Sequence, residues 1–320
     1  MNRRSPPQVL QSRRRRITVR LASVSVGLAV GFGTLALLWP RPDPTLPSRR
    51  LTSPADLAKP PSRPVTVLVI GIDADRVGDP VNRAAPSGPA NADALFLIRV
   101  NPDARLQVLN LPPELAVNVP GQSKPQPLGS LYRLGGVALL SDATRELVGM
   151  DSAQPDRYLV IGRSALRELV DGLGGIEANP SRAMSYHDRT QDYRIELQAG
   201  LQLLQGSQVE QLVRFRDPLL ASQGRQIDQQ EAMRALLRGM LVPDQLARLS
   251  ALVGSMKREV ISNLSETEVL SLLAAGLSRT EPVEFRSVSL AAQGAGAGRL
   301  RYISASAGPP LWPPAQRDSP

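Results

Sequence analysis

The chain lacks cysteine, holds one histidine and is poor in aromatic residues, and each shortage removes a class of chemistry. Without cysteine there is no disulfide, no thiolate metal site and no thiol nucleophile. With His187 as the only histidine, a histidine-rich metal centre is excluded as well. Aromatic residues make up 3% of the chain, too few for a stacking platform that would bind single-stranded nucleic acid or sugars. A Walker loop, a zinc signature and a motif-supported Ser-His-Asp arrangement are also missing. An exported domain that does without disulfides fits these absences.

What the chain has in excess is positive charge, formally +9 over 320 residues. A nucleic-acid binder would carry such charge on its folded surface. Here it sits in the leader: residues 1–50 hold ten arginines and one acid, Asp43. Of 38 basic and 29 acidic groups in all, that leaves 28 of each in the rest of the chain. The folded part is electrically balanced, and no nucleic-acid partner is expected.

Leu21 to Trp39 runs nineteen residues without a charge. At 1.5 Å per residue it reaches about 28 Å, close to the ~30 Å hydrocarbon thickness of a bilayer. Trp39 stands where an interfacial aromatic belongs, Pro40 ends the helix, and the cluster Arg13–Arg16 holds the preceding end in the cytoplasm. A cleaved signal peptide would have a shorter apolar stretch and a small-residue cleavage site, which Pro40-Arg-Pro-Asp-Pro does not provide. The expected organisation is a basic cytoplasmic tail (1–20), one transmembrane helix (21–39), a Pro/Ser-rich stalk (40–64), an extracytoplasmic domain (65–290) and a flexible tail (291–320). The chain is thus expected in the plasma (inner) membrane as a single-pass protein.

In the outer domain, Val65–Ile70 is an apolar β-branched run ending at Gly71, the pattern of a buried strand. Asp75–Ala90 reads as a loop. Leu95–Val100 and Leu106–Leu111 flank Asn101-Pro-Asp-Ala-Arg105, whose turn chemistry predicts a hairpin. A helix is expected over Val137–Val148 and a strand over Tyr158–Ile161. Ser164 is positioned to cap a helix over Ala165–Leu173 that stops at Gly174-Gly175. Ser207-Gln-Val-Glu210 reads as a capping box, Val213-Arg-Phe-Arg216 alternates like a strand, and Gln226–Met240 carries a helical apolar face. Ser265-Glu-Thr-Glu268 is a second capping box, before a helix through Leu277. Strands and helices alternate, so the class is α/β, a central mixed sheet flanked by helices.

The segment richest in chemistry is Arg214-x-Arg216, followed by Arg225 and Gln229. Two residues apart on a strand, Arg214 and Arg216 would share a face; four apart on a helix, Arg225 and Gln229 would do the same. Three guanidiniums and an amide at one helix start suit phosphate or pyrophosphate. The competing reading is a solvated surface cluster paired with Asp217, Asp228 and Glu231. Asp73 and Asp75 follow the first strand and Asp93 precedes the second, an arrangement open to a hard cation such as Mg²⁺ or to simple turn chemistry. His187, in Ser-Tyr-His-Asp, reads as a surface loop residue.

These segments, in order, resemble the LytR–CpsA–Psr family of cell-envelope proteins. The resemblance runs from about Val65 to Leu290. It is carried by Tyr158-Leu-Val-Ile through Leu169-Val-Asp-Gly-Leu-Gly-Gly-Ile176, by Leu197-Gln-Ala-Gly-Leu-Gln-Leu-Leu-Gln-Gly206, and by Val213-Arg-Phe-Arg216 with Gly224-Arg225. It implies an α/β fold enclosing a polyprenyl chain, with an arginine-lined pyrophosphate site and Mg²⁺ at its mouth. It implies transfer of a glycopolymer with its phosphate from a polyprenyl-pyrophosphate carrier to peptidoglycan or another envelope acceptor. Asp73 and Asp93 match the family's metal-binding aspartates, Arg214, Arg216 and Arg225 its pyrophosphate-contacting arginines, and Gln229 the glutamine of the following helix. The chain departs from the family's pattern at Asn91, where an arginine is expected, and at Pro113, within Pro112-Pro113-Glu114, where the family has proline-arginine-aspartate. Pro127 falls in the family's lysine-isoleucine-asparagine segment, leaving Lys124 as the nearest candidate cation. Ser222 stands for an aspartate and Asp228 for an arginine. Two functions remain open on these residues: the transferase, and a non-catalytic envelope protein that binds polyprenyl lipid or a partner enzyme.

Overall fold

Six strands form the central sheet: β1 (Val65–Ile72), β2 (Ala92–Val100), β3 (Gln107–Asn110), β6 (Arg157–Ile161), β11 (Val260–Ser262) and β12 (Glu284–Ser287). Their order across the sheet is β11-β6-β1-β2-β3-β12. The pairs β6–β1 and β3–β12 are parallel and the other three antiparallel, so the expected mixed sheet is present. This computed structural model describes residues 53–80, 88–189, 191–279, 281–292, 300–305 and 311–312. The expected cytoplasmic tail, the Leu21–Trp39 span and the first part of the stalk lie outside the described residues. Among the described residues no helix is long and apolar enough to cross a membrane.

Alternation along the strands sends side chains to two different environments. Leu68, Ile70 and Ile72 of β1, with Leu95 and Leu97 of β2, pack into a core under helix α1 (Ser130–Val148). The helix expected over Val137–Val148 is the second part of α1, which breaks at Gly135 and Gly136; Gly136 has φ of 63°. On the other face, Phe96 belongs to a core that also takes Met233 and Leu237 of the long helix α4 (Ala221–Met240). A further core lies among helices α2 (Arg163–Gly172), α3 (Gly206–Arg214) and α4, with the small strands β7 (Ile176–Ala178), β8 (Met184–Asp188), β9 (Tyr193–Leu197) and β10 (Gln202–Leu204). His187 sits on β8, opposite Arg194 of β9.

Two segments that carry the family resemblance meet in space. Gly174 and Gly175 end α2 with φ of 82° and 97°, values that suit glycine. The Asp171 carboxylate accepts the backbone N–H of Gly206 at 2.7 Å. A Cβ on Gly206 would lie 2.4 Å from the Arg167 carbonyl oxygen, so only glycine lets α3 approach α2 this closely.

Several expected boundaries move. Ser164 is inside α2 rather than its cap: Gly162 holds that position, and the Ser164 hydroxyl donates to the Asp75 carbonyl at 2.9 Å. Ser207 is likewise inside α3, where Gln205 is the N-cap and pairs reciprocally with Gln208. Val213–Arg216 is no strand: α3 continues to Arg214, because Val209, Leu212 and Phe215 are buried together at helical rather than alternating spacing. Ser265 does cap α7 (Glu266–Leu277): its oxygen accepts the Glu268 N–H at 3.2 Å, and Glu268 accepts the Ser265 N–H at 2.9 Å. Within the stretch expected to be stalk, Leu57 packs on a core. Within the expected tail, Arg301 bridges to Leu115, and Trp312 is 3% exposed, with the Arg99 guanidinium 4.9 Å from its ring.

Candidate functional site

A cavity of about 450 Å³ lies between the sheet and α4, with walls from β1, β2, α2, α3 and the β8–β9 hairpin. Such a volume is in the range of small-molecule sites. Its lining changes character along each element. On β1 it passes from Asp73 through Gly71 to Val69, on β2 from Asp93 through Ala94 to Phe96, and on α4 from Arg225 through Gln229 and Ala232 to Met233 and Leu236. Arg225 meets Asp93, Gln229 meets Asn110 opposite Phe96, and Met233 packs near Phe96, so the three gradients run the same way. One end is ionic and the other is apolar.

Of the sequence-predicted residues, Arg214, Arg216, Arg225, Gln229, Asp73 and Asp93 all line this cavity. Arg225 is 5% exposed and reaches Asp93 at 3.7 Å and Glu114 at 3.4 Å. Burial pulls its pKa below the usual guanidinium value, and neighbouring Arg216 adds to that pull. Arg216 reaches the same Asp93 oxygen at 3.6 Å. Arg214 is the last residue of α3, bonded to Glu210 at 2.9 Å and to Gln191 Oε1 at 2.8 Å. Its guanidinium lies 3.9 Å from the Tyr193 ring centroid, a cation–π contact. Burial pushes the Tyr193 phenol up to about 12, so it stays neutral.

The departures from the family pattern have definite places. Asn91 holds Asp73: its backbone and side-chain N–H groups donate to the two carboxylate oxygens at 2.8 and 3.2 Å. Glu114 supplies a carboxylate to Arg225, whereas Pro113 offers no charge. Pro127 pairs with Ala116 in a two-residue strand. Lys124 is exposed and is not among the cavity residues, so the cation expected from it is not delivered there. Ser222 falls in the first turn of α4. Asp228 turns away from the cavity to Arg182, at 2.8 Å, and Arg182 also meets Asp217 at 2.7 Å.

That buried pair has a measurable consequence. Burial pushes Asp228 up to about 6, with Arg182 opposing only part of the shift. In the unfolded chain an aspartate titrates near ~4. Between these values the native state binds a proton that the unfolded chain does not, so this group adds stability as pH falls from about 6 to about 4. Urea unfolding across pH 7 to 4 should show that rise in wild type and a flatter profile in Asp228→Asn; identical profiles would contradict the assignment.

Sequence reasoning missed two members of the site. Glu210, 3% exposed on α3, gathers Arg163, Arg167 and Arg214. Arg163 lines the cavity from the first position of α2. Neither has a local signal: Glu210 closes the Ser207–Glu210 capping-box pattern, and Arg163 merely precedes Ser164 in the chain. The two aspartates expected to hold Mg²⁺, Asp73 and Asp93, both line the cavity and offer hard carboxylate oxygens. Among the described residues no group of three metal-ligating side chains assembles. Two carboxylates nevertheless suffice for Mg²⁺, which commonly completes its shell with phosphate oxygens and water.

Known proteins resemble this chain in sequence and in fold. Among curated proteins, the chain is 28% identical over 159 residues to a probable cell wall biosynthesis protein, LcpB, of Corynebacterium glutamicum, covering 50% of this chain and 36% of the relative. It is 26% identical over 205 residues to TagU of Enterococcus faecalis, a polyisoprenyl-teichoic acid–peptidoglycan teichoic acid transferase, covering 63% of this chain and 62% of the relative. The chain thus matches less than two thirds of the length of these relatives. Among solved structures, B. subtilis TagV superposes with a TM-score of 0.62 at 17% identity, over 77% of this chain and 93% of that one. TagT bound to LI-WTA superposes with a TM-score of 0.56 at 19% identity, over 77% and 86%. At these identities the structures establish the fold alone. The model of the LytR_cpsA_psr family matches residues 49–305, most of the sequence. By that match the chain belongs to the LytR–CpsA–Psr family.

Proposed function

We propose that this protein is a membrane-anchored phosphotransferase that moves a glycopolymer, with its phosphate, from a polyprenyl-pyrophosphate carrier to peptidoglycan or another envelope acceptor. The observation that carries the reading is the gradient inside the cavity, from an arginine-rich end to an apolar end, which suits a molecule with a diphosphate head and a prenyl tail. The names of the teichoic-acid and cell-wall relatives support the same substrate class. The anchor is read from Leu21–Trp39, with the catalytic domain on the outer side of the plasma membrane.

In this reaction a bond forms between an acceptor hydroxyl oxygen and the glycan-bearing phosphorus, and the hydroxyl proton passes to the departing phosphate or to solvent. The bond to the bridging oxygen breaks, and polyprenyl phosphate leaves with the electron pair. Negative charge grows on that leaving group. Arg214, Arg216 and Arg225, which line the cavity, would hold the diphosphate and stabilise that charge, and the buried setting of Arg225 would strengthen the effect. Gln229 adds an amide to the same wall. Mg²⁺, held by Asp73 and Asp93, would supply further neutralisation of phosphate oxygens when bound. Val69, Phe96, Met233 and Leu236 would enclose the first prenyl units and keep water from them.

The second reading, a lipid-binding protein without turnover, is favoured by the acids that already face Arg225 and by the neutral Asn91 and Pro113. One experiment separates the two. Full-length protein in detergent, given Mg²⁺, a polyprenyl-diphosphate-linked glycan and peptidoglycan fragments, should release polyprenyl phosphate and label the fragments. Lipid bound without release would establish the binder; neither binding nor release would remove both readings.

A further inference from the structure

The ionic end of the cavity is built as two pairs of guanidiniums, each sharing one carboxylate oxygen. On the β2 side of β1, Arg216 and Arg225 lie 3.6 and 3.7 Å from Asp93 Oδ1. On the β6 side, Arg163 and Arg214 lie 3.4 and 2.9 Å from Glu210 Oε1. The two pairs differ in charge balance. Arg216 and Arg225 face two carboxylates, Asp93 and Glu114. Around Glu210, three guanidiniums face two carboxylates, because Arg167 takes Glu210 Oε2 and reaches Asp75 at 2.8 Å. Asp188, another carboxylate in the lining, is bonded by Gln191. In these ion pairs Arg163 therefore shares Glu210 with two other guanidiniums.

Arg163 has donor capacity left over. Its bond to Glu210 is the longest of the three, and its buried Nε has no hydrogen-bond partner among the described residues. A guanidinium carries five N–H donors. Its position is set by backbone. A Cβ on Gly162 would lie 2.6 Å from the Asp75 carbonyl oxygen, so only glycine lets the chain turn this close to the end of β1. The Arg163 and Ser164 N–H groups then donate to Ala74 and Asp75, at 3.2 and 2.9 Å, just past Asp73. The N-terminus of α2 also adds its own positive potential there.

We propose that Arg163 is a fourth diphosphate-binding guanidinium, which with Arg214 holds one phosphoryl group while Arg216 and Arg225 hold the other. This rests on the transferase reading of the cavity and adds to it the residue that selects a diphosphate over a monophosphate. A charge-assisted hydrogen bond of this kind is worth about 10- to 100-fold in affinity.

The test measures binding of geranylgeranyl diphosphate and geranylgeranyl monophosphate to the full chain in detergent with Mg²⁺, for wild type, Arg163→Gln and Arg163→Lys. Thermal melting of each protein runs alongside. Wild type should prefer the diphosphate. Arg163→Gln should lose most of that preference, about 10- to 100-fold, while binding the monophosphate nearly as before. Arg163→Lys should recover part of it, through its charge but without the fork. A preference unchanged in both variants, with wild type still selective, would overturn the role of Arg163 alone. Wild type that binds neither ligand would overturn the transferase reading beneath it. A general loss of both ligands together with a large fall in melting temperature would assign Arg163 a purely structural part and also overturn the proposal.

Discussion

Arg225→Ala should lower the rate of polyprenyl phosphate release by about 10²–10³-fold, the usual cost of removing one preorganised charge from a transferring phosphoryl centre. The effect is large because Arg225 is 5% exposed and works in a medium where water screens little. Removing it also leaves Asp93, in the cavity wall, and Glu114 behind it without the cation they both approach, at 3.7 and 3.4 Å. The diphosphate would then meet Asp93 with Arg216 as its remaining described partner. Arg225→Lys should fall between wild type and alanine, because an ammonium keeps the charge but loses the planar fork. Single-turnover release under saturating lipid, read with a melting curve, is the measurement. A loss of less than about tenfold in a folded Arg225→Ala protein would mean that its charge does not act on the leaving group.

The second large effect is on stability. Glu210→Ala should destabilise the domain by about 3–5 kcal/mol, the range seen when one partner is removed from a buried ionic cluster. Its carboxylate is 4% exposed and is shared by Arg163, Arg167 and Arg214, which are themselves 18, 30 and 19% exposed. Alanine would leave three guanidiniums beside one another with Asp75 as the only further acid that reaches any of them in the described contacts. For a domain of this size, melting should drop by about 6–20 °C. Glu210→Gln should lose less, since the amide oxygen still accepts. A shift under about 2 °C for alanine would show that the cluster is solvated and screened rather than mutually dependent.

These two residues illustrate how far the sequence could be read. Arg225 was legible because it stands four residues before Gln229 in a segment with helical periodicity, and α4 places both on the wall of the cavity. Glu210 was not. It needed α3 to run on to Arg214, which turns Glu210 and Arg214 into an i,i+4 pair. Four alternating residues, Val213 to Arg216, fit a strand as well as a helix end, and periodicity over so short a run cannot decide between them. The β2–β3 hairpin was legible from its Asn-Pro-Asp turn, while the partnering of β12 with β3 had no local signal, because it joins residues 177 positions apart, such as Gln107 and Glu284.

The same division holds for charge. By itself the sequence determined that the net +9 belongs to the leader, that an apolar run of membrane length lies within it, and that the rest of the chain is charge-balanced with an α/β pattern. Composition, periodicity and family motifs are local or additive, so they can be read along the chain. The tertiary structure decided which charges face one another. It moved Asp228 onto Arg182 and left Lys124 outside the cavity. It also brought Arg163 beside Arg214 through Glu210, which lies 47 positions from Arg163 along the chain. Ion pairing depends on distances of a few ångströms between elements far apart in the chain, and only packing sets those distances.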